Sequence, residues 1–154
     1  MAAGQKKVIK IEFETSPEFF LRPHDLHSVR CGSLVFSLPI KYEKKMYEYE
    51  RNGVERKFPY CDYELIPKSD WNYAFSSLEL KLNKKTVSDI PFSSEHPPVT
   101  LTAKMKKIPW GLAERYENVC AKVPESRTPI SDEEEIELYP YGCSKLRMTE
   151  MPII

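Results

Sequence analysis

The chain has 154 residues, 41% hydrophobic and 30% charged, which is long enough to bury a core and ordinary for a globular domain. Its 23 Lys and Arg balance its 23 Asp and Glu, so it lacks the basic excess that binding to nucleic acid requires. No apolar run approaches the ~20 residues of a membrane span. No apolar core follows the first residues as a secretory leader would, so the chain reads as one soluble, cytoplasmic domain over residues 1–154, unless it was excised from a longer protein.

Thirteen prolines against five glycines cut the chain into short elements, because proline ends helices and interior strands. Residues 8–13 alternate apolar and charged side chains, the period of a half-buried strand. Residues 15–27, with Pro17 and Pro23, read as a loop or crossover. Residues 28–38 form the strongest predicted strand. Its centre, Leu34-Val35-Phe36, is continuously apolar, and Gly32 suggests a bulge or a close backbone approach. Residues 41–49 suit a helix by the spacing of Tyr42, Met46 and Tyr49, and a strand by their aromatic content. Asn52-Gly53 is the best hairpin turn in the sequence.

Tyr63 to Ile66 predicts a short strand stopped by Pro67, followed by the aromatic run 70–75. Residues 78–82 alternate cleanly, and Asn83 is read as turning the chain. A surface loop over 91–98 leads into an alternating strand over 99–105. Pro109-Trp110-Gly111 marks a sharp turn. Residues 116–123 are strand-like, 125–135 are acidic and exposed, and strands over 136–139 and 146–149 end the chain, joined by residues 140–144. About eight to ten short strands at this spacing predict an all-β fold, an antiparallel β-sandwich of jelly-roll type.

Two signatures carry a resemblance. One is Arg30-Cys31-Gly32-Ser33-Leu34-Val35-Phe36-Ser37-Leu38, followed by Tyr63-Glu64-Leu65-Ile66-Pro67 and Trp71-Asn72-Tyr73-Ala74. The other is the ending, Leu138-Tyr139-Pro140-Tyr141-Gly142-Cys143 through Leu146-Arg147-Met148-Thr149-Glu150-Met151-Pro152. In this order they resemble the C-terminal β-sandwich of the β-L-arabinofuranosidase-like glycoside hydrolases. In that family a helical toroid carries the chemistry, with a cysteine nucleophile and a zinc ion. Nothing in this sequence matches the toroid or its cysteine cluster, so no catalytic residue transfers. The resemblance implies an accessory sandwich that packs against a helical glycosidase catalytic domain.

Four residues stand out as candidate ligand contacts: Trp71, Asn72, Tyr73 and Trp110. Sugar rings present apolar C–H faces that stack on exposed indoles, while polar neighbours bond their hydroxyls. The competing reading is that both indoles fill the core. If they bind sugar, Trp71 and Trp110 should lie side by side on an exposed surface. His24, His27 and His96 lack the further ligands of a zinc site. Residues 132–135 lack the glycine and alternating ligands of a calcium loop. Cys31, Cys61, Cys120 and Cys143 are widely spaced and read as reduced, structural thiols; Cys143 has no neighbouring histidine to activate it. Arg147 and Glu150 read as surface or cross-strand partners. The sequence therefore predicts no metal, no cofactor and no catalytic set. A helical catalytic domain is the expected partner, with carbohydrate as the alternative, and neither nucleic acid nor membrane is expected.

Overall fold

The computed structural model describes residues 8–13, 15–114 and 116–154. It is all-β, with antiparallel sheets and, among the described residues, only two single-turn 3-10 helices, Pro23–Asp25 and Tyr141–Cys143. The strands are β1 (Pro17–Arg22), β2 (Leu26–Cys31), β3 (Leu34–Pro39), β4 (Tyr42–Tyr47), β5 (Tyr49–Arg51), β6 (Val54–Arg56), β7 (Asp62–Pro67), β8 (Tyr73–Lys84), β9 (Val99–Lys107), β10 (Leu112–Ala113), β11 (Tyr116–Cys120), β12 (Glu134–Pro140) and β13 (Arg147–Met148). Among the described residues no helix is long and apolar enough to cross a membrane.

One sheet, in the order β1-β2-β3-β12-β9-β8 with β13 added on β3, carries the core. It curls until β1 lies near β8, and Phe19 meets Phe75 edge-on at 4.9 Å. The two halves of the curl thus face each other as the layers of a sandwich. Paired residues in antiparallel strands point to the same face. The registers Val29 with Phe36, Leu138 with Leu101 and Phe75 with Met105 therefore build one continuous inner surface. All six of these side chains are buried. Each contributes on the order of 1.5–3 kcal/mol by leaving water.

The last residues fasten this curl. Beyond β13, His27 N–H donates to the Met151 carbonyl at 2.7 Å and Met151 N–H donates back at 3.0 Å. From the next residue on, Phe75 N–H donates to the Pro152 carbonyl at 2.9 Å and Ile154 N–H donates to the Phe75 carbonyl at 3.0 Å. The tail therefore bonds β2 and β8 at once, with Met151 and Pro152 buried.

Several boundaries depart from the sequence expectation. Residues 8–13 are not a strand: they carry no regular secondary structure and are exposed. The stretch 15–27 is not a loop; it holds β1 and the start of β2. Phe19, Phe20 and Leu21 supply strand-forming side chains that the flanking prolines obscured. The strand expected over 28–38 is two strands. Gly32, at φ +58, is the turn of the β2–β3 hairpin, and the Thr15 methyl lies 3.2 Å from where a Cβ would sit. Residues 41–49 are not helical: Tyr42–Tyr47 pair with β7, and Tyr49 opens β5, which pairs with β6. Asn83 does not turn the chain: β8 runs on to Lys84, and the Asn83 amide donates to Thr102 Oγ1 at 2.9 Å. Glu134 and Glu135 belong to β12, while the expected strand over 146–149 is only Arg147–Met148. Asn52 and Gly53, at φ +55 and +71, do form the predicted hairpin turn, between β5 and β6.

The turn from β1 to β2 is backbone-strained. His24 and Asp25 both sit at positive φ, +64 and +55, unusual for residues with a Cβ. Arg127 holds it from across the chain. Its Nη1 donates to the Asp25 carboxylate at 2.6 Å, and its Nη2 donates to the carbonyls of His24 and Asp25 at 3.2 and 3.1 Å.

Candidate functional site

The aromatic run after β7 is positioned by its own polar side chains. The Asn72 amide donates to the Ile108 carbonyl at 2.7 Å, and Ile108 N–H donates to the Asn72 carbonyl at 2.9 Å. Asn72 thus acts as a clip between the start of β8 and the end of β9. Tyr73 is buried beside it, with its ring 5.8 Å from Lys107 Nζ. Burial and the nearby Glu134 carboxylate push its phenol pKa up. Lys107 in turn bonds Asp70 at 2.6 Å.

Trp71 and Trp110 do come together, with ring centroids 6.0 Å apart and planes at 63°. They do not form a shared exposed platform. Trp110 is only 5% exposed, and its Nε1 donates to the Ala121 carbonyl at 2.7 Å. Trp71 is half-buried. A planar ligand stacking on both rings would need them coplanar and open; here each meets the other edge-on.

Two neighbouring grooves open around this pair, both against the β10–β11 ribbon. The larger, about 910 Å³, is lined by Phe20, Leu26, Phe92, Trp110 and Tyr141, with the Arg22–Glu150 ion pair (2.8 Å) among its lining residues. The smaller, about 580 Å³, is lined by Ile40, Leu65, Trp71, Leu112, Val119 and Arg147. Cys120 and Met148 line both. Leu112 and Val119 are 54% and 53% exposed, and Phe92 and Tyr141 are about half open to solvent. Exposed apolar side chains concentrated around concave surface mark binding faces, not scattered surface hydrophobics.

The charged residues here are already engaged. Arg147 Cζ lies 3.5 Å from the centroid of the Tyr141 ring, and its Nη1 donates to the carbonyls of Ser144 and Lys145. The Glu64 carboxylate accepts the Tyr47 hydroxyl at 2.6 Å. All four cysteines are free. Burial pushes the thiol pKa values of Cys120 and Cys143 up, which disfavours the thiolate that nucleophilic chemistry uses. Among the described residues no three His, Cys, Asp or Glu side chains converge as a metal ion would require.

The candidate residues taken from the sequence therefore divide. Asn72 and Tyr73 are structural, Trp110 is a buried wall, and Trp71 reaches a groove. Phe92, Leu112, Val119, Cys120 and Met148 were missed. They come from four separate stretches, and no local pattern distinguishes an apolar residue at a groove rim from one in the core. Comparison with protein-family models, with curated proteins and with solved structures gave no match.

Proposed function

We propose that this chain is a non-catalytic accessory β-sandwich domain of a carbohydrate-active, glycoside hydrolase-like protein, working by packing against a helical catalytic domain. The observation that carries this reading is the apolar rim of Leu112, Val119, Phe92 and Tyr141 around two grooves that meet at Cys120 and Met148. A helix presents ridges of apolar side chains at regular spacing, and paired grooves with apolar rims accept such ridges. The family resemblance supplies the identity of the partner; the raised thiols and engaged charges supply no reaction of the chain's own. The test is binding of the apolar dye ANS to the isolated chain, repeated with Leu112→Lys plus Val119→Lys. Strong dye fluorescence that the double variant abolishes is expected. A chain that leaves the dye dark, and stays monodisperse, sinks the reading.

A second reading, a stand-alone carbohydrate-binding module, rests on Trp71. It is the one half-open indole, and it shares its groove with Glu64 and Arg147, an apolar face beside polar groups as a sugar ring requires. Titration with arabino-oligosaccharides should then shift tryptophan emission in the native chain and not in Trp71→Phe. An unchanged spectrum with every sugar tried rejects it.

A further inference from the structure

We propose that the cavity beside the Tyr141–Cys143 turn binds a small phosphomonoester, its dianionic phosphate held between Lys41 and Lys145 and its apolar carbon group resting on Ile90 and Phe92. The cavity measures about 610 Å³, within the range of small-molecule sites. It lies where the link from β3 to β4 passes the segment between that turn and β13.

Strand register brings two like charges together there. β13 pairs antiparallel with β3, Met148 opposite Leu38 and Arg147 opposite Pro39. Ile40 N–H then donates to the Leu146 carbonyl at 3.0 Å. Carried one residue further, the same register sets Lys41 across from Lys145. Both line the cavity. Neither makes an ion pair among the described residues. No Asp or Glu is among the lining residues. Like charges facing each other across strands are destabilising, and a dianion from outside the chain offsets two ammonium groups at once.

Ser144 supplies a second, independent sign. It lines the same cavity and is 7% exposed. Its Oγ is buried and has no hydrogen-bond partner among the described residues. A buried hydroxyl without a partner is costly, and such a group marks a place where a ligand or water completes the bonding. Ser93 Oγ accepts the Glu95 N–H at 3.1 Å, which leaves its own proton to donate from the cavity wall. Ammonium and hydroxyl donors suit a phosphate, which carries close to two charges and three strong acceptor oxygens. A carboxylate brings one charge and two oxygens. Ile40, Ile90, Phe92 and Tyr139 supply apolar wall that a bare phosphate leaves uncovered.

The backbone around the site is already tied down. Lys41 N–H donates to Ser69 Oγ at 2.9 Å, and Lys68 N–H donates to the Lys41 carbonyl at 2.7 Å. Arg147 Nη1 donates to the carbonyls of Ser144 and Lys145, which sets a further positive charge behind them. Burial raises the pKa of the Cys143 thiol, also in the lining, so no thiolate opposes an anion. The cavity shares Phe92 and Gly142 with the larger groove, but Lys41, Lys145 and Ser144 line only the cavity. Phosphate binding is therefore independent of the proposed docking.

The experiment titrates the full chain with phenyl phosphate by calorimetry, with inorganic phosphate and benzoate as parallel arms. Phenyl phosphate should bind more tightly than either. Lys41→Gln and Lys145→Gln, both at exposed positions, should each weaken it about tenfold, the size of one charge-assisted hydrogen bond. Ser144→Ala should weaken it as well without lowering the urea midpoint, because the hydroxyl it removes has no partner to lose. Lys81→Gln, an exposed position on β8 outside the cavity, should change nothing. No heat with phenyl phosphate at millimolar concentration overturns the proposal. Equal affinity for inorganic phosphate overturns it in favour of an adventitious ion only, and equal affinity for benzoate in favour of a carboxylate. Binding that survives both lysine substitutions also overturns it, by placing the ligand elsewhere.

Discussion

Trp110 shows how one side chain can serve packing and polarity together. Its indole packs into the core at the wall of the larger groove, and its N–H is satisfied by the Ala121 carbonyl. Trp110→Phe keeps most of the apolar volume and strands that carbonyl, so a loss of about 1–3 kcal/mol in urea unfolding is expected. Asn72→Ala breaks a two-way clip and should cost a similar amount, about 1–3 kcal/mol, while leaving any sugar-dependent fluorescence of Trp71 in place. Cys120 gives a pH prediction. Its folded pKa is raised, so the folded state holds the thiol proton more tightly than the unfolded chain does. That contribution to stability is complete below the ordinary thiol range and is lost as pH rises above it through the raised folded value. The urea midpoint should therefore fall on going from neutral to strongly alkaline pH, and fall less in Cys120→Ser. Alkylation of Cys120 at neutral pH should be slower than that of free cysteine.

At the scale of elements, the tail after β13 and the β4–β7 arm are opposites. The tail is short, buried and bonded to two distant strands. Met151→Ala removes a fully buried side chain, and a loss of about 2–5 kcal/mol by chemical denaturation is expected from cavity formation. The arm from β4 to β7 is long, and β5 and β6 are exposed at every position. Two-stranded ribbons are marginal alone in water, and Arg51, Arg56 and Lys57 lie at or near its tip. Brief trypsin treatment should nick there first and leave the melting of the main sheet nearly unchanged. The elements also show what local pattern conveys. The alternation over 78–82 and 99–105 marked β8 and β9 because Leu80, Leu82, Leu101, Ala103 and Met105 turn toward the core, although Leu78 itself stays exposed beside a break in the β8–β9 register. Asn52-Gly53 marked its hairpin because both residues tolerate positive φ. Pro17 and Pro23 misled, because proline at the first position of a strand or a 3-10 turn needs no N–H bond.

Across the whole molecule, stability rests on pairings between residues far apart in sequence. β3 joins β12, and the tail joins β2 and β8. Such topologies close large loops before contacts repay them, so refolding on the scale of milliseconds to seconds is expected in stopped-flow fluorescence. Microsecond refolding would contradict this architecture. The site has the same character. The grooves are assembled from β1, β2, β3, β7, the loop at Phe92, the β10–β11 ribbon, the end of β12 with the turn after it and the final strand, and none of these contributes more than a few side chains. Within this chain the rim of Leu112 and Val119 stays more than half exposed.

The sequence by itself determined the class of the molecule. Period-two alternation, frequent prolines and one strong hairpin turn are local properties, and they dictate short antiparallel strands with one apolar face. Tertiary structure alone decided which strands are neighbours, that the tail clasps the curl, and that Trp110 is buried while Trp71 stays half-open. Those outcomes depend on which distant surfaces meet, and the free energy of burial is settled by that meeting and not by the order of residues along the chain.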